Sequence, residues 1–105
     1  MACEAPTAVN LVWSLETGRF YVRWEYPNPD DVLEFRVWLE RFTAEKVTDQ
    51  WTQVQKARAF PKARKYTFRK IGVGPGEKYR GCVRAVCKDC ESSVEVCDEH
   101  EFPPS

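Results

Sequence analysis

A chain of 105 residues has room for one hydrophobic core and little beyond it. Its 16 basic residues are offset by 16 acidic ones, so no overall field draws it to nucleic acid or to a membrane surface. No apolar run is long enough to span a bilayer, and none is expected to insert into one.

In chain order the signals are those of strands. Val9-Asn10-Leu11-Val12-Trp13 opens the series, and Thr17-Gly18 turns the chain into Arg19 to Trp24, where Phe20, Val22 and Trp24 share one face. Pro27-Asn28-Pro29-Asp30-Asp31 is a loop, since two prolines remove backbone donors and fix φ. From Leu33 to Glu40 the pattern alternates again, placing Leu33, Phe35, Val37 and Leu39 inward and Glu34, Arg36, Trp38 and Glu40 outward. Trp51 to Val54 and Lys65 to Arg69 follow, then a Gly/Pro-rich corner, then Tyr79 to Cys87 and Ser92 to Cys97. Seven short strands separated by turn signals predict a two-sheet antiparallel sandwich. There is no internal repeat, no convincing helical stripe and no N-x-Ser/Thr glycan acceptor.

The succession of residues resembles the fibronectin type III pattern from Pro6 to Val96. It is carried by Pro6 before the first strand, Trp24 followed by Tyr26-Pro27, and Phe35-Arg36-Val37 on the third strand. Tyr66 to Ile71, Pro75-Gly76-Glu77-Lys78-Tyr79 and Val83-Arg84-Ala85 complete it. That family places leucine six residues before its corner tyrosine; here either Val73 takes the place, or Ile71 does with a longer corner. The resemblance implies an all-β, seven-stranded, immunoglobulin-like sandwich, a single domain with its core over about residues 6–97 and residues 98–105 as a linker. Trp24 and Phe35 then plug the gap between sheets, and Tyr79 anchors the corner. A start so close to the first strand and an end at Pro103-Pro104-Ser105 suit a module cut from a longer chain, with neighbouring domains among its partners.

Five cysteines form a dense set, four of them between Cys82 and Cys97. Such clustering points to disulfides and an extracellular setting, whereas in a reducing compartment it would suggest metal. If Val83 and Ala85 pair with Val96 and Val94, Cys82 lies opposite Cys97 and Cys87 opposite Ser92. Opposed α-carbons stand about 4.5–5.5 Å apart, within disulfide range, which makes Cys82–Cys97 the first expected bridge. Cys87 and Cys90 could close a tight ring, or Cys3 could pair with either, and one cysteine stays single. A zinc site from Cys87, Cys90, Cys97 and His100 needs the last strand to be absent, because Cys97 is seven residues beyond Cys90. No metal or cofactor is therefore expected, and His100 is read as an exposed tail residue.

Catalysis finds little support. The lone histidine lies near the end, and Gly72-Val73-Gly74-Pro75-Gly76 lacks the Lys-Ser/Thr ending of a phosphate loop. Two surfaces could bind. Between Trp51 and Gly76 there is no acidic residue, while Lys56, Arg58, Lys62, Arg64, Lys65, Arg69 and Lys70 are basic; this edge is expected to attract a heparin-like sulfated glycan or an acidic partner. Trp38, beside Arg80 and Arg84, is either shielded by those arginines or a protein-contact anchor. The resulting expectation is a non-catalytic extracellular binding or spacer module of a receptor or adhesion protein. Two alternatives remain: a cytokine-receptor-like ligand-binding module, though without a Trp-Ser-x-Trp-Ser box, or an intracellular scaffold with reduced or zinc-bound cysteines.

Overall fold

The structure is a computed structural model and describes residues 3–27, 29–44, 49–89 and 91–104. Its strands are β1 (Thr7–Ser14), β2 (Arg19–Glu25), β3 (Val32–Ala44), β4 (Asp49–Ala59), β5 (Lys65–Thr67), β6 (Lys78–Cys87) and β7 (Val96–Glu101). They form two antiparallel sheets, ordered β1-β2-β5 and β4-β3-β6-β7. A 3-10 turn at Pro29–Asp31 is the one helical element among the described residues. In the loop before it, Asn28 lies outside them. The all-β sandwich expected from period-two alternation is the fold found.

The side chains that alternation selects fill the space between the sheets. Phe20, Val22 and Trp24 of β2, Phe35, Val37 and Leu39 of β3, and Tyr79, Val83 and Ala85 of β6 are all buried. Trp24 meets Phe35 with ring centroids 5.3 Å apart, and Tyr26 meets the same ring edge-on at 5.2 Å. Such pairs add about 0.5–1.5 kcal/mol beyond the area they bury. A second aromatic cluster joins Phe20 to Trp13 at 4.9 Å and to Tyr79 at 5.0 Å. Between Tyr79 and Val83 the inward row passes through Gly81. A β-carbon there would lie 2.8 Å from Leu11 Cδ1 of β1, so the two sheets approach closely at that point.

Three expectations are corrected. Val32, not Leu33, enters the core: Val32 is 2% exposed and Leu33 50%. The β3–β6 register shifts between Val32 and Glu34, and one added residue reverses which side chain points inward. The last strand begins at Val96 and not Ser92. Cys82 pairs with Cys97 and Val83 with Val96 as expected, but Ser92 bridges Val86, and Val94 is 73% exposed. Ser93 displaces Val94 from the place opposite Ala85. Its N–H donates to the Ala85 carbonyl at 2.8 Å, and its hydroxyl accepts from the Ala85 N–H at 3.0 Å. Third, residues 98–102 are no linker. Asp98 to Glu101 pair with β6, Phe102 packs on the core, and His100 lies edge-on to Phe20 and Phe102 at 5.6 and 5.0 Å. The run Asp98-Glu99-His100-Glu101 hides the strand in the sequence because charge is what an edge strand tolerates.

Two disulfides fix this frame. Cys82–Cys97 joins neighbours on β6 and β7, with α-carbons 4.1 Å apart. Cys3–Cys87, at 5.9 Å, ties the segment leading into β1 to the end of β6 and so links one sheet to the other. With those sulfurs bonded, neither the Cys87–Cys90 ring nor the four-ligand zinc set can form; Cys90 itself lies outside the described residues. The open sides of the sandwich are closed by side chains. Leu11 N–H of β1 donates to Asp98 Oδ2 of β7 at 2.8 Å. Opposite, the buried Gln55 amide of β4 donates to the Arg69 carbonyl and accepts from the Arg69 N–H, both at 2.8 Å.

Candidate functional site: the outer face of the four-stranded sheet

The alternation that buries Phe35, Val37 and Leu39 turns Glu34, Arg36, Trp38 and Glu40 to the other side of β3. Ladder register then sets their neighbours. Arg36 lies between Arg58 of β4 and Arg84 of β6, Trp38 between Lys56 and Cys82, and Glu40 between Gln53 and Arg80. Like charges placed opposite one another destabilise a sheet, and carboxylates relieve most of them here. Glu34 Oε2 is 3.2 Å from Arg36 and 3.5 Å from Arg58, and Arg84 is 3.8 Å from Glu95. Arg80 Nε approaches Glu40 Oε2 at 2.6 Å, while Trp38 Nε1 donates to the other Glu40 oxygen at 3.0 Å.

Cations also lie over the rings. Arg84 is 5.7 Å from the centre of Trp38, Arg80 is 4.5 Å from Trp51, and Lys78 is 5.2 Å from Phe42. Exposed pairs of this type contribute about 0.5–1 kcal/mol each. The expected neighbours of Trp38 are thus rearranged: Arg84 covers it directly, whereas Arg80 covers Trp51 and reaches Trp38 only through Glu40. Trp38 remains half-buried at the side of a groove of about 510 Å³ lined by Arg36, Gln53, Lys56, Arg58 and Arg84. Arg84 Nε, on the side chain that covers Trp38, is buried with no hydrogen-bond partner among the described residues.

The basic residues between positions 56 and 70 do not form one edge. Lys56 and Arg58 line the Trp38 groove. Lys62 is exposed between β4 and β5. The Arg64 guanidinium is consumed internally, donating to the Pro61, Ala63 and Tyr26 carbonyls at 2.8, 2.7 and 3.3 Å and lying 5.4 Å from the Phe35 ring. Lys65 belongs to the other sheet, with Nζ 4.2 Å above Tyr21. Arg69 is exposed beyond β5, and Lys70 lies against the Gly18 turn. Sequence reasoning overlooked Glu40, Lys78 and Glu95. Their outward parity is readable, but their roles as shared acceptor, ring cap and counter-ion depend on register between distant strands.

The corner holds a polar network of its own. The Tyr79 hydroxyl donates to Glu77 Oε1 at 3.2 Å and accepts from Arg41 Nε at 3.1 Å, and the Gly74 N–H also donates to that carboxylate. Burial pushes the Tyr79 pKa up and Glu77 adds to this, against the opposing pull of Arg41. Tyr26 is raised by burial, then by Glu4 and Asp31, with Arg64 opposing. Ile71 and Val73, both weighed for the place before the corner tyrosine, both pack against the core. Cys82, Glu95 and Cys97 bring possible metal-ligating atoms within 4.8 Å of one another, but the two sulfurs are bonded together.

With this geometry in place, comparison with known proteins bears on the fold. No family model matches the sequence, and no curated protein sequence does either. Among solved structures, a myokine superposes with a TM-score of 0.65 at 15% identity, over 97% of this chain and 99% of that one. A Fn3-like protein from Clostridium thermocellum gives 0.60 at 20% identity, over 100% and 98%. The spore cortex lytic enzyme SleM of Clostridium perfringens gives 0.61 at 17% identity over 93% of this chain, which spans only 27% of the enzyme. The chain has a fibronectin type III-like fold. At such identities the likeness establishes architecture alone, and the site has to be argued from its residues.

Proposed function

We propose that this protein is a non-catalytic extracellular module of a cell-surface receptor or adhesion protein, and that it binds a protein partner through the outer face of the β4-β3-β6-β7 sheet. The observation that carries the reading is Trp38, held at the side of a groove among Arg36, Lys56, Arg58 and Arg84. Tryptophan and arginine dominate binding energy where they are pre-positioned and can be dried by a partner. Glu34, Glu40 and Glu95 compensate most of the charge, which suits a mixed protein surface better than a uniformly anionic polymer. Two disulfides support an oxidising compartment. Intact mass before and after reduction checks this: a gain of four hydrogens is expected, and no gain points to an intracellular scaffold.

Binding is tested with the fluorescently labelled module on intact cells of a panel of types. Saturable binding is expected, with at least a tenfold loss for Trp38→Ala while circular dichroism and Tm stay close to the parent. Unchanged binding of that variant would assign Trp38 to shielding, and absence of saturable binding throughout would favour a spacer. The layering of Arg84 on Trp38 and of Arg80 on Trp51 also resembles the arginine–tryptophan ladder of cytokine-receptor modules, and that alternative predicts saturable binding of a soluble protein ligand, lost in Trp38→Ala.

A further inference from the structure

We infer that the opposite face of the sandwich, the outer side of the β1-β2-β5 sheet, is a separate binding site for a linear sulfated glycan. Because Phe20, Val22 and Trp24 point into the core, Arg19, Tyr21 and Arg23 point away from it along β2. Arg23 is directly opposite Lys65 of β5, and Tyr21 is opposite Thr67. Lys65 lies over the Tyr21 ring with Nζ 4.2 Å from its centre. Lys70 comes against Gly18 in the turn that leads into Arg19: a β-carbon at Gly18 would stand 3.3 Å from Lys70 Cε. Cations therefore run the length of β2, with Arg19 and Arg23 about 13 Å apart along the strand.

The two outer faces differ in how these charges are satisfied. On the four-stranded sheet Arg36, Arg58, Lys78, Arg80 and Arg84 each have a carboxylate within 4.0 Å. Among the described residues no ion pair forms to Arg19, Arg23, Lys65 or Lys70. Glu25 is the one carboxylate that shares the outward parity of β2. A directly opposed Arg23–Lys65 pair is a liability in a sheet unless an anion covers it. Among the described residues, a row of exposed cations without carboxylate partners, flanking a half-buried tyrosine on one sheet face, suits an extended polyanion. The disulfides favour a sulfated glycan over nucleic acid as that polyanion, because they point to an oxidising compartment. This site does not depend on the Trp38 groove.

The test is retention on immobilised heparin. The parent protein is expected to be held at about 0.15 M NaCl, physiological ionic strength. Arg19→Glu/Arg23→Glu/Lys65→Glu is expected to pass through, and the milder Arg19→Gln/Arg23→Gln to elute at intermediate salt. Lys56→Glu/Arg58→Glu and Trp38→Ala should elute with the parent. Circular dichroism and Tm accompany each variant; if the triple variant does not fold, the glutamine pair decides alone. The inference is overturned if the parent passes through, if the Lys56/Arg58 pair is the one that abolishes retention, or if desulfated heparin or a DNA oligonucleotide of equal charge binds as tightly as heparin. The Trp38→Ala outcomes on cells and on heparin are read separately, so either site can fail without the other.

Discussion

The two outer faces of one sandwich handle charge in opposite ways. On the four-stranded sheet nearly every cation has a carboxylate or a ring beneath it, and a disulfide braces two of the strands from the same side. On the three-stranded sheet the cations of β2 and β5 stand without acidic partners among the described residues. The first face spends its charges on itself, which holds its side chains in place. The second leaves them available. Composition is blind to this, since a net charge of zero averages over both.

Crosslinks should separate the sheets most strongly. Cys3→Ser/Cys87→Ser unties one sheet from the other and opens a loop with a sequence separation of 84, whereas Cys82→Ser/Cys97→Ser opens one of 15 within a single sheet. Chain-entropy arguments put the costs at about 4–5 and about 3 kcal/mol respectively. Urea melts of the two variants check the order, and equal losses would mean that the sheets do not need that tie. Gly81→Ala comes next. Its β-carbon would meet the Leu11 side chain across the gap between the sheets, and overpacking of this type costs about 1–3 kcal/mol. The double variant Gly81→Ala/Leu11→Ala should recover part of the loss due to the glycine change.

Single cations sharpen the contrast between faces. Arg80→Ala removes a contact to a carboxylate that is only 13% exposed and should cost about 1–2 kcal/mol. Arg23→Ala should stay within about 0.5 kcal/mol of the parent, on the stabilising side if relief from Lys65 dominates. Equal losses would mean that the two faces do not differ in how they hold their cations. The smallest expected effect is a pH dependence. Tyr79 and Tyr26 both titrate above the ordinary tyrosine value of 10.0 in the fold, so the folded state holds these protons more tightly than the unfolded chain does. Their contribution is fully present below pH 10 and is lost as pH rises through the folded values. Tyr79→Phe should therefore flatten the alkaline limb of a stability–pH profile while leaving its slope at neutral pH unchanged.

Most of the architecture was legible because strand alternation is a local signal. Phe20, Val22 and Trp24 announce an inward face by themselves, and Cys82 facing Cys97 follows from one choice of register. What escaped reading depends on contacts between distant strands. The shift at Val32 inserts one residue and so moves Leu33 outward, and nothing in Val32-Leu33-Glu34 marks it. The stretch from Asp98 to Phe102 looks like a polar tail until Phe20 and Tyr79 are seen to need Phe102 and His100 beside them. The run from Lys56 to Lys70 looks like one basic edge, yet the chain crosses from β4 to β5 within it and deals its cations to both faces. Arg64 is half-buried, its guanidinium turned onto backbone carbonyls.

Asp98 and Gln55 have one further consequence. A sandwich built from two open sheets has strands at its margins whose unpaired N–H and C=O groups invite a strand from another molecule. Gln55 uses its amide as a piece of backbone, giving and taking one hydrogen bond at Arg69, and Asp98 occupies the Leu11 donor at the other margin. An intruding strand would first have to displace a bond already made at each seam. Two side chains thus occupy backbone groups at both margins of the three-stranded sheet, where a further strand would otherwise add.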